Sequence, residues 1–224
     1  MQHYCGWQPS ADAIDALKAE GAWNNDWDAS LELLRRHGAE LPDRAALIDV
    51  FSGFYFGGDP EGDSSQWTGF IGDEPLLVDA SFFATLSERK LRWGIVSGAE
   101  PPSARFVLQQ RLGLQNPPLI AMGDAPDKPD PTGLIRLAKA LGADSEGAQV
   151  AYLGDTVADV HTVIKARKHW PEQHFVSLAV APPHLQTAEQ AAAREIYEQR
   201  LREAGADQVL PGTKAVLSWE RATA

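Results

Sequence analysis

The feature that most constrains the fold is a series of five short apolar runs in the later two thirds of the chain. They read RWGIVSG, PLIAMGD, QVAYLGD, FVSLAV and DQVL, and helical segments separate them. Continuous apolar runs of this length are typical of strands buried on both faces, which occur in parallel sheets covered by helices. The pattern predicts an α/β fold with a Rossmann-like, doubly wound parallel sheet.

The first third of the chain has a different hydrophobic pattern and is predicted to be helical; we call it the helical front. Ser10 is positioned to cap a first helix, Asn25 or Asp26 a second, and Gly38 to end the second. A third helix is expected within LPDRAALIDVFSGFYFGG, followed by a connection rich in Gly, Asp and Ser. We therefore expect two domains, a small helical domain over residues 1–70 and an α/β domain over residues 71–224.

Composition limits the classes of partner. The formal net charge of −11 argues against nucleic acid, because little here would neutralise phosphates in bulk, yet it leaves room for a small phosphorylated ligand at a locally positive site. Cys5 is the single cysteine, so no internal disulfide can form and a cytoplasmic protein is expected. No apolar run approaches the ~20 residues of a membrane span, and the N-terminus shows no targeting signal.

Polar residues follow three of the predicted strands, where ligands bind in open α/β sheets. Ser97 and Gly98 stand at a strand-to-helix turn, where a hydroxyl and free amides can hold a phosphate oxygen, although a simple helix cap would look the same. Lys128 lies in a proline-stiffened loop and either presents its charge to an anion or faces solvent. Asp155 and Asp159 offer oxygen ligands of the kind that Mg²⁺ takes, or else a helix cap and a solvent-facing acid.

The order of these residues resembles motifs II, III and IV of the haloacid dehalogenase-like hydrolase superfamily. The matching stretches are GIVSGA, GDAPDKPDP and YLGDTVADV, and AGADQVLPG is similar to the last strand of that family. The resemblance covers most of the chain and implies a Mg²⁺-dependent phosphatase. The helical front resembles the helical cap that the subfamily related to phosphoglycolate phosphatase inserts after motif I.

The resemblance also implies a role for each residue of the core. Asp155 would bind Mg²⁺, and Asp159 would support the metal through water or orient its neighbours. Ser97 and the Gly98 amide would bind the phosphoryl oxygens. Lys128 would neutralise charge on the nucleophile and the phosphoryl group.

The helical cap would supply substrate specificity. Trp23, Asn24, Asn25 and Asp26 are the expected substrate contacts, because polar groups stand there beside aromatics at a helix start. Packing within the cap and capping of the helix explain the same four residues equally well.

Motif I, an apolar strand ending in Asp-x-Asp-Gly that carries the nucleophile, is not found in this sequence. Asp26-x-Asp28 follows two asparagines rather than an apolar strand, and Asp49 has Phe51 where the second acid belongs. We expect motif I to be encoded upstream of Met1; the competing explanation is a protein that has lost this strand. Without its central strand the chain is expected to be poorly soluble, or its sheet to close imperfectly around a gap.

Three functions therefore remain open. The first is a phosphatase acting on a small phosphorylated metabolite, as a monomer or homodimer. The second is an inactive relative that still binds phosphate or Mg²⁺. The third, a receiver-like signalling domain, is disfavoured by the missing acidic pair and the helical front. No zinc-ligand spacing and no P-loop occur in the sequence.

Overall fold

The helical front contains four helices in this computed structural model, which describes residues 1–23 and 25–219. They are α1 (Gln2–Cys5), α2 (Ala11–Lys18), α3 (Asp26–His37) and α4 (Arg44–Tyr55). α2 and α3 pack around a small apolar cluster formed by Leu17, Ala29 and Leu33. The front thus has a small apolar cluster of its own.

Side-chain caps and a glycine set the bounds of these helices. The Ser10 side chain accepts a hydrogen bond from the Ala13 amide, as predicted. Of the two predicted caps for α3, Asn25 is the one used: its side chain accepts from the Trp27 and Asp28 amides. Gly38 ends α3 in the left-handed conformation (φ 78°), which glycine adopts without a steric penalty.

The connection that follows α4 folds back on itself. The Gly69 amide donates to the Phe56 carbonyl at 2.8 Å, so the chain leaves and returns at almost the same point. A Cβ atom at Gly57 would lie 2.3 Å from the Gly69 nitrogen, which only a glycine pair allows. The segment between them is a closed loop, consistent with the connection expected from its composition.

From residue 80 onward helices alternate with strands. The elements are α5 (Ala80–Glu88), β1 (Ile95–Val96), α6 (Pro101–Arg105), β2 (Leu119–Ile120), α7 (Thr132–Ala140), β3 (Gln149–Gly154), α8 (Val157–His169), β4 (His174–Val180), α9 (Ala191–Glu203) and β5 (Gln208–Leu210). A π-helical turn (Phe106–Arg111) continues α6. Each of the five apolar runs contains a strand, and every pair is parallel.

The strands form two sheets rather than one. β1 pairs with β2, and β3 pairs with β4, which pairs in turn with β5. Among the described residues β1 and β3 do not pair with each other, so each keeps one open edge. We call the β1–β2 pair and the β3–β4–β5 group the two half-sheets. α7 packs on the first and α8 on the second, and contacts between α7 and α8 hold the half-sheets together. The fold class is α/β with parallel sheets, as predicted, and the division between β1 and β3 is an imperfect closure of the kind expected for this chain.

The open edge of β3 affects its burial. β4, with a neighbour on each side, buries Phe175, Leu178 and Ala179 almost completely. β3 is just as apolar, yet its residues are half-buried and Ala151 is exposed. Apolar strand residues left in water forgo roughly 25 cal/mol per Å² of burial, so this edge is a weak point of the fold.

The main core lies between α8, β4 and α9. Val157, Val160, Ala179 and Leu201 form one cluster there, and a second cluster lies between α7, α8 and β4. Within the described residues, no helix combines the length and the apolar character that crossing a bilayer requires.

Candidate active site

Asp159 is the best-connected acid at the predicted site. It lies in the first turn of α8, with 5% of its side chain exposed, and Lys128 Nζ donates to its Oδ1 at 2.7 Å. Tyr152 Oη donates to the same oxygen at 3.0 Å, while the Thr156 amide and hydroxyl donate to Oδ2 at 3.1 and 2.7 Å. These four bonds occupy both carboxylate oxygens. The geometry favours orientation of neighbours, the second of the two roles predicted for Asp159.

Thr156 and Asp159 together form a capping box at the start of α8. Thr156 Oγ1 accepts from the Asp159 amide, and the Asp159 side chain accepts from the Thr156 amide. The helix is therefore capped by Thr156 and not by Asp155, which was the alternative reading of Asp155.

Gly154 is required by the position of Asp159. A Cβ atom at residue 154 would lie 2.3 Å from Asp159 Cβ and 2.4 Å from its Cγ. These distances are well inside van der Waals contact, so no other residue fits while Asp159 stays in place. The Gly-Asp-x-x-x-Asp spacing thus has a steric basis: the glycine leaves room for the second aspartate to fold back on the strand end.

The Asp155 side chain differs from that of Asp159 in its hydrogen bonding. It is half-buried, and among the described residues its carboxylate accepts no hydrogen bond from another side chain. Its main-chain carbonyl accepts a hydrogen bond from Tyr197 Oη at 2.9 Å. Asp155 therefore offers a free carboxylate on an anchored turn.

The protonation of the two acids follows from burial and from Lys128. Burial raises the pKa of Asp155, and the charge of Asp159 adds to this, while Lys128 and Lys18 oppose it. Burial alone would raise the pKa of Asp159, but Lys128 and the hydrogen bonds from Thr156 and Tyr152 outweigh it and lower that pKa. Asp159 is therefore the acid of the two whose charged form Lys128 and the hydrogen bonds stabilise.

Ser97, Gly98 and Lys128 line one small cavity at the carboxyl ends of β1 and β2. Its volume is about 20 Å³, room for about one water molecule, so a phosphoryl oxygen could enter but a whole phosphate would remain at its mouth. Ser97 Oγ accepts from the Ala99 amide at 3.0 Å, which leaves its hydroxyl hydrogen available to donate. The hydroxyl serves a turn rather than a helix cap, since α6 begins later.

Lys128 connects the two half-sheets. Its loop follows β2, yet its ammonium group reaches the acid that follows β3, and 14% of its side chain is exposed. The alternative of a solvated loop lysine does not describe this side chain. Ser97, Gly98, Lys128 and Asp159 are thus joined through shared neighbours, and the field of Lys128 extends to Asp155.

Three of the four residues expected to contact substrate have structural contacts. Trp23 Nε1 donates to Glu20, and its ring packs on the Leu17 cluster. Asn25 caps α3, and Asp26 pairs with Lys18 at 2.7 Å. Asn24 lies outside the described residues. Packing and capping account for the described three, and their binding of substrate stays a prediction.

Neither sequence that partly resembled motif I lies at the end of a strand. Asp26 and Asp28 are in the first turn of α3, where Asp28 pairs with Arg44. Asp49 is exposed in the middle of α4. The rejection of both as nucleophile agrees with their positions.

Lys18 belongs to the side of the helical front that touches the core. Asp15, one turn earlier, lies 2.9 Å from His184 Nε2 in the segment after β4. Gly21, three residues later, lies against Val157 at the start of α8. Lys18 stands between these two contacts and close enough to lower the pKa of Asp155.

Sequence reasoning missed four residues around the acids: Lys18, Tyr152, Thr156 and Tyr197. Thr156 was detectable, because Thr-x-x-Asp before a helix is a capping pattern. Tyr152 and Lys18 read as ordinary strand and helix residues. Tyr197 lies 42 residues from Asp155, whose carbonyl accepts its hydrogen bond, and no local sequence pattern predicts that contact.

The side chains at this site provide some, but not all, of the oxygen ligands that Mg²⁺ requires. Mg²⁺ is commonly held by one or two carboxylates together with waters and substrate phosphate, and Asp155 provides one free carboxylate. The described residues contain no group of three or more acidic, His or Cys side chains arranged to hold a metal ion. Asp155 would thus bind the ion with waters and a phosphate oxygen, with any further protein ligand supplied by another segment.

Comparisons with known proteins agree with this picture. Residues 69–167, which include Ser97, Lys128 and both aspartates, match the model of the haloacid dehalogenase-like hydrolase family. No curated protein matches the sequence.

Two solved structures show the same fold. A phosphonoacetaldehyde hydrolase-like protein from Oleispira antarctica superposes with a TM-score of 0.66 at 15% identity, over 95% of this chain and 80% of that one. A hydrolase from Pseudomonas syringae superposes with a TM-score of 0.59 at 18% identity, over 94% of this chain and 82% of that one. Residues 69–167 are thus similar to the haloacid dehalogenase-like hydrolase family, and the fold is shared with the two solved structures.

Proposed function

We propose that the protein is a Mg²⁺-dependent phosphatase that hydrolyses a small phosphate monoester. One observation carries the proposal: Lys128 lines a cavity with Ser97 and Gly98 and at the same time pairs with Asp159 beside the free Asp155. A hydroxyl, a glycine amide, a buried cation and an uncommitted carboxylate are the groups that a phosphoryl oxygen and a divalent cation require.

Each residue has a task in this proposal. Ser97 Oγ and the Gly98 amide donate to phosphoryl oxygens. Lys128 stabilises the charge that develops on the transferring group, and Asp159 holds its ammonium in place. Asp155 contributes to the Mg²⁺ site, and the ion would supply further charge neutralisation on the phosphoryl oxygens.

The nucleophile of this proposal is an aspartate on a further strand placed between β1 and β3. Such a carboxylate would attack phosphorus to give an aspartyl-phosphate, while the second aspartate of the same motif protonates the leaving alcohol. That aspartate would then take a proton from the water that hydrolyses the intermediate, which releases inorganic phosphate and restores the carboxylate. The open edges of β1 and β3 support this position, since a parallel strand there would pair on both sides and cover the apolar residues of β3.

The helical front is proposed to act as a cap over the phosphate site. Its contacts with the core at His184 and Val157 bring Lys18 towards Asp155, which supports this arrangement. The proposed domains are residues 1–70 for the cap and 71–224 for the core. The proposed partner is a small phosphorylated metabolite, bound by a monomer or homodimer.

The test is to assay two proteins against a panel of phosphate monoesters with Mg²⁺. One is the 224-residue chain, and the other is extended by the upstream reading frame. We expect the extended protein to hydrolyse at least one ester and the 224-residue chain none. Turnover by the 224-residue chain would contradict the assignment of the nucleophile, and an extension without an Asp-x-Asp strand would remove the proposed mechanism.

The alternative function is a relative that binds phosphate and Mg²⁺ without turnover. It is favoured by the positions of Asp26, Asp28 and Asp49, which lie on helices of the front. An immediate stop codon upstream of Met1, together with phosphate binding measured by calorimetry, would select this alternative.

A further inference from the structure

We propose that Tyr197 is a positioning residue that holds the Asp155 turn in the geometry needed for cation binding. The proposal rests on the proposed function, because it concerns the same acid. Tyr197 lies on α9, outside the family match and far from Asp155 in the sequence. Its hydroxyl nevertheless donates to the Asp155 carbonyl at 2.9 Å.

The ring of Tyr197 is fixed by packing. The residue is 6% exposed and belongs to the cluster that contains Val157, Val160 and Leu201. These neighbours come from α8 and α9, so the hydroxyl is held by the main core and not by a surface loop. A hydrogen bond from such a rigid group restricts the backbone that accepts it.

The Asp155 turn depends on this bond because its side chain is uncommitted. On one side Gly154 is fixed as the last residue of β3, and on the other Thr156 is fixed by the capping box. Among the described residues no other side chain donates to the Asp155 carboxylate, which interacts instead with the Asp155 backbone amide. The hydrogen bond from Tyr197 is thus the contact that anchors its main chain from outside the turn.

Tyr152 has the matching task at the second acid. Its hydroxyl donates to Asp159 Oδ1 at 3.0 Å, from the strand that leads into the same turn. Each aspartate is therefore held by one tyrosine hydroxyl, Asp159 through its carboxylate and Asp155 through its carbonyl. This division leaves the Asp155 carboxylate free to bind a ligand.

A purely structural role for Tyr197 makes a different prediction. A buried tyrosine needs an acceptor for its hydroxyl, and any nearby carbonyl would serve. In that case Tyr197→Phe would change stability but not cation binding. The experiment must therefore separate the two quantities.

The test compares Tyr197→Phe with Tyr4→Phe. Tyr4 Oη also donates to a main-chain carbonyl, that of Ala46 at 3.0 Å, but within the helical front. The Mg²⁺ dissociation constant is measured by NMR on the carboxyl carbons of ¹³C-labelled aspartates, and the melting temperature by circular dichroism. Residues that orient metal ligands typically change metal affinity by 10–100-fold, so we expect about 10-fold weaker Mg²⁺ binding in Tyr197→Phe and no change in Tyr4→Phe.

Amide hydrogen exchange in the metal-free protein gives an independent readout. We expect the amides of Asp155 and Thr156 to exchange faster in Tyr197→Phe and to stay as in the wild type in Tyr4→Phe. Equal Mg²⁺ affinity in Tyr197→Phe and the wild type would overturn the proposal, even if the variant melts earlier. If the wild type itself does not bind Mg²⁺, the Mg²⁺ dependence in the proposed function is wrong. The amide exchange rates then decide by themselves whether Tyr197 holds the Asp155 turn.

Discussion

Replacement of Gly154 by alanine tests whether the strand end and the acid of α8 are as closely packed as the structure indicates. The added Cβ would lie 2.3 Å from Asp159 Cβ and 2.7 Å from its Oδ2. Carbon atoms in contact normally stay ~3.5–4.0 Å apart, so either the end of β3 or the first turn of α8 must move by more than about 1 Å. A movement of that size breaks the hydrogen bonds that Asp159 accepts.

The expected cost follows from those bonds. Loss of a helix cap costs ~1 kcal/mol, and separation of a buried ion pair with one charge left unpaired costs ~3–5 kcal/mol. The effects overlap, so we expect the free energy of unfolding to fall by about 3–5 kcal/mol. For a chain of this size each kcal/mol lowers the melting temperature by ~2–4 °C, which gives a decrease of roughly 6–20 °C.

Urea denaturation followed by circular dichroism measures the change. Gly53→Ala is the matched control, because Gly53 lies within α4 and a Cβ atom there meets no atom within 4 Å. It should be neutral or stabilise by up to ~1 kcal/mol through helix propensity. A Gly154→Ala protein within about 0.5 kcal/mol of the wild type would refute the steric argument, since surface-like substitutions stay in that range.

Three further experiments probe individual interactions in the molecule. Lys128→Met leaves a charge buried without its partner and should cost ~3–5 kcal/mol in urea denaturation, and adding Asp159→Asn should recover part of the loss; no recovery would mean that the pair is not the cause. Hydrogen bonds from Arg35 and its neighbour lower the pKa of Glu32 from 4.5 to about 2, so its stabilising contribution is complete above pH 4.5 and is lost as the pH falls through about 2. The stability difference between the wild type and Glu32→Gln should shrink across that window, and a constant difference would contradict the ion pairing. Leu201→Ala empties a fully buried position between α8 and α9 and should cost ~2–5 kcal/mol by thermal unfolding, whereas a loss below about 1 kcal/mol would show that this core is loosely packed.

Local sequence patterns were sufficient to predict the helices and strands of this protein. The five apolar runs became five parallel strands because uninterrupted apolar residues of that length need cover on both faces. Ser10 and Gly38 delimit their helices because a cap acts within one turn of its own position. The residues at the strand ends could be named for the same reason, since parallel strands bring their carboxyl ends to one side.

The tertiary structure decided which of these residues are free to act. Asp155 and Asp159 look equivalent in the sequence, yet Asp159 is saturated by Lys128 and its neighbours, while no other side chain of the described residues donates to the Asp155 carboxylate. The partners of Asp159 include a residue 31 positions away, and the tyrosine that anchors Asp155 is 42 positions away. No periodicity or spacing rule reaches across such distances.

The missing motif I strand predicted poor solubility or an imperfectly closed sheet, but which strands border the gap was visible only in three dimensions. Sequence patterns identify strands one at a time, whereas pairing depends on which edges meet after the helices have packed. α7 and α8 hold the half-sheets together while β1 and β3 remain unpaired with each other in the described residues. The sequence by itself determined the elements and the residues at their ends, because those depend on neighbours along the chain; the pairing of the strands and the free carboxylate depend on neighbours in space.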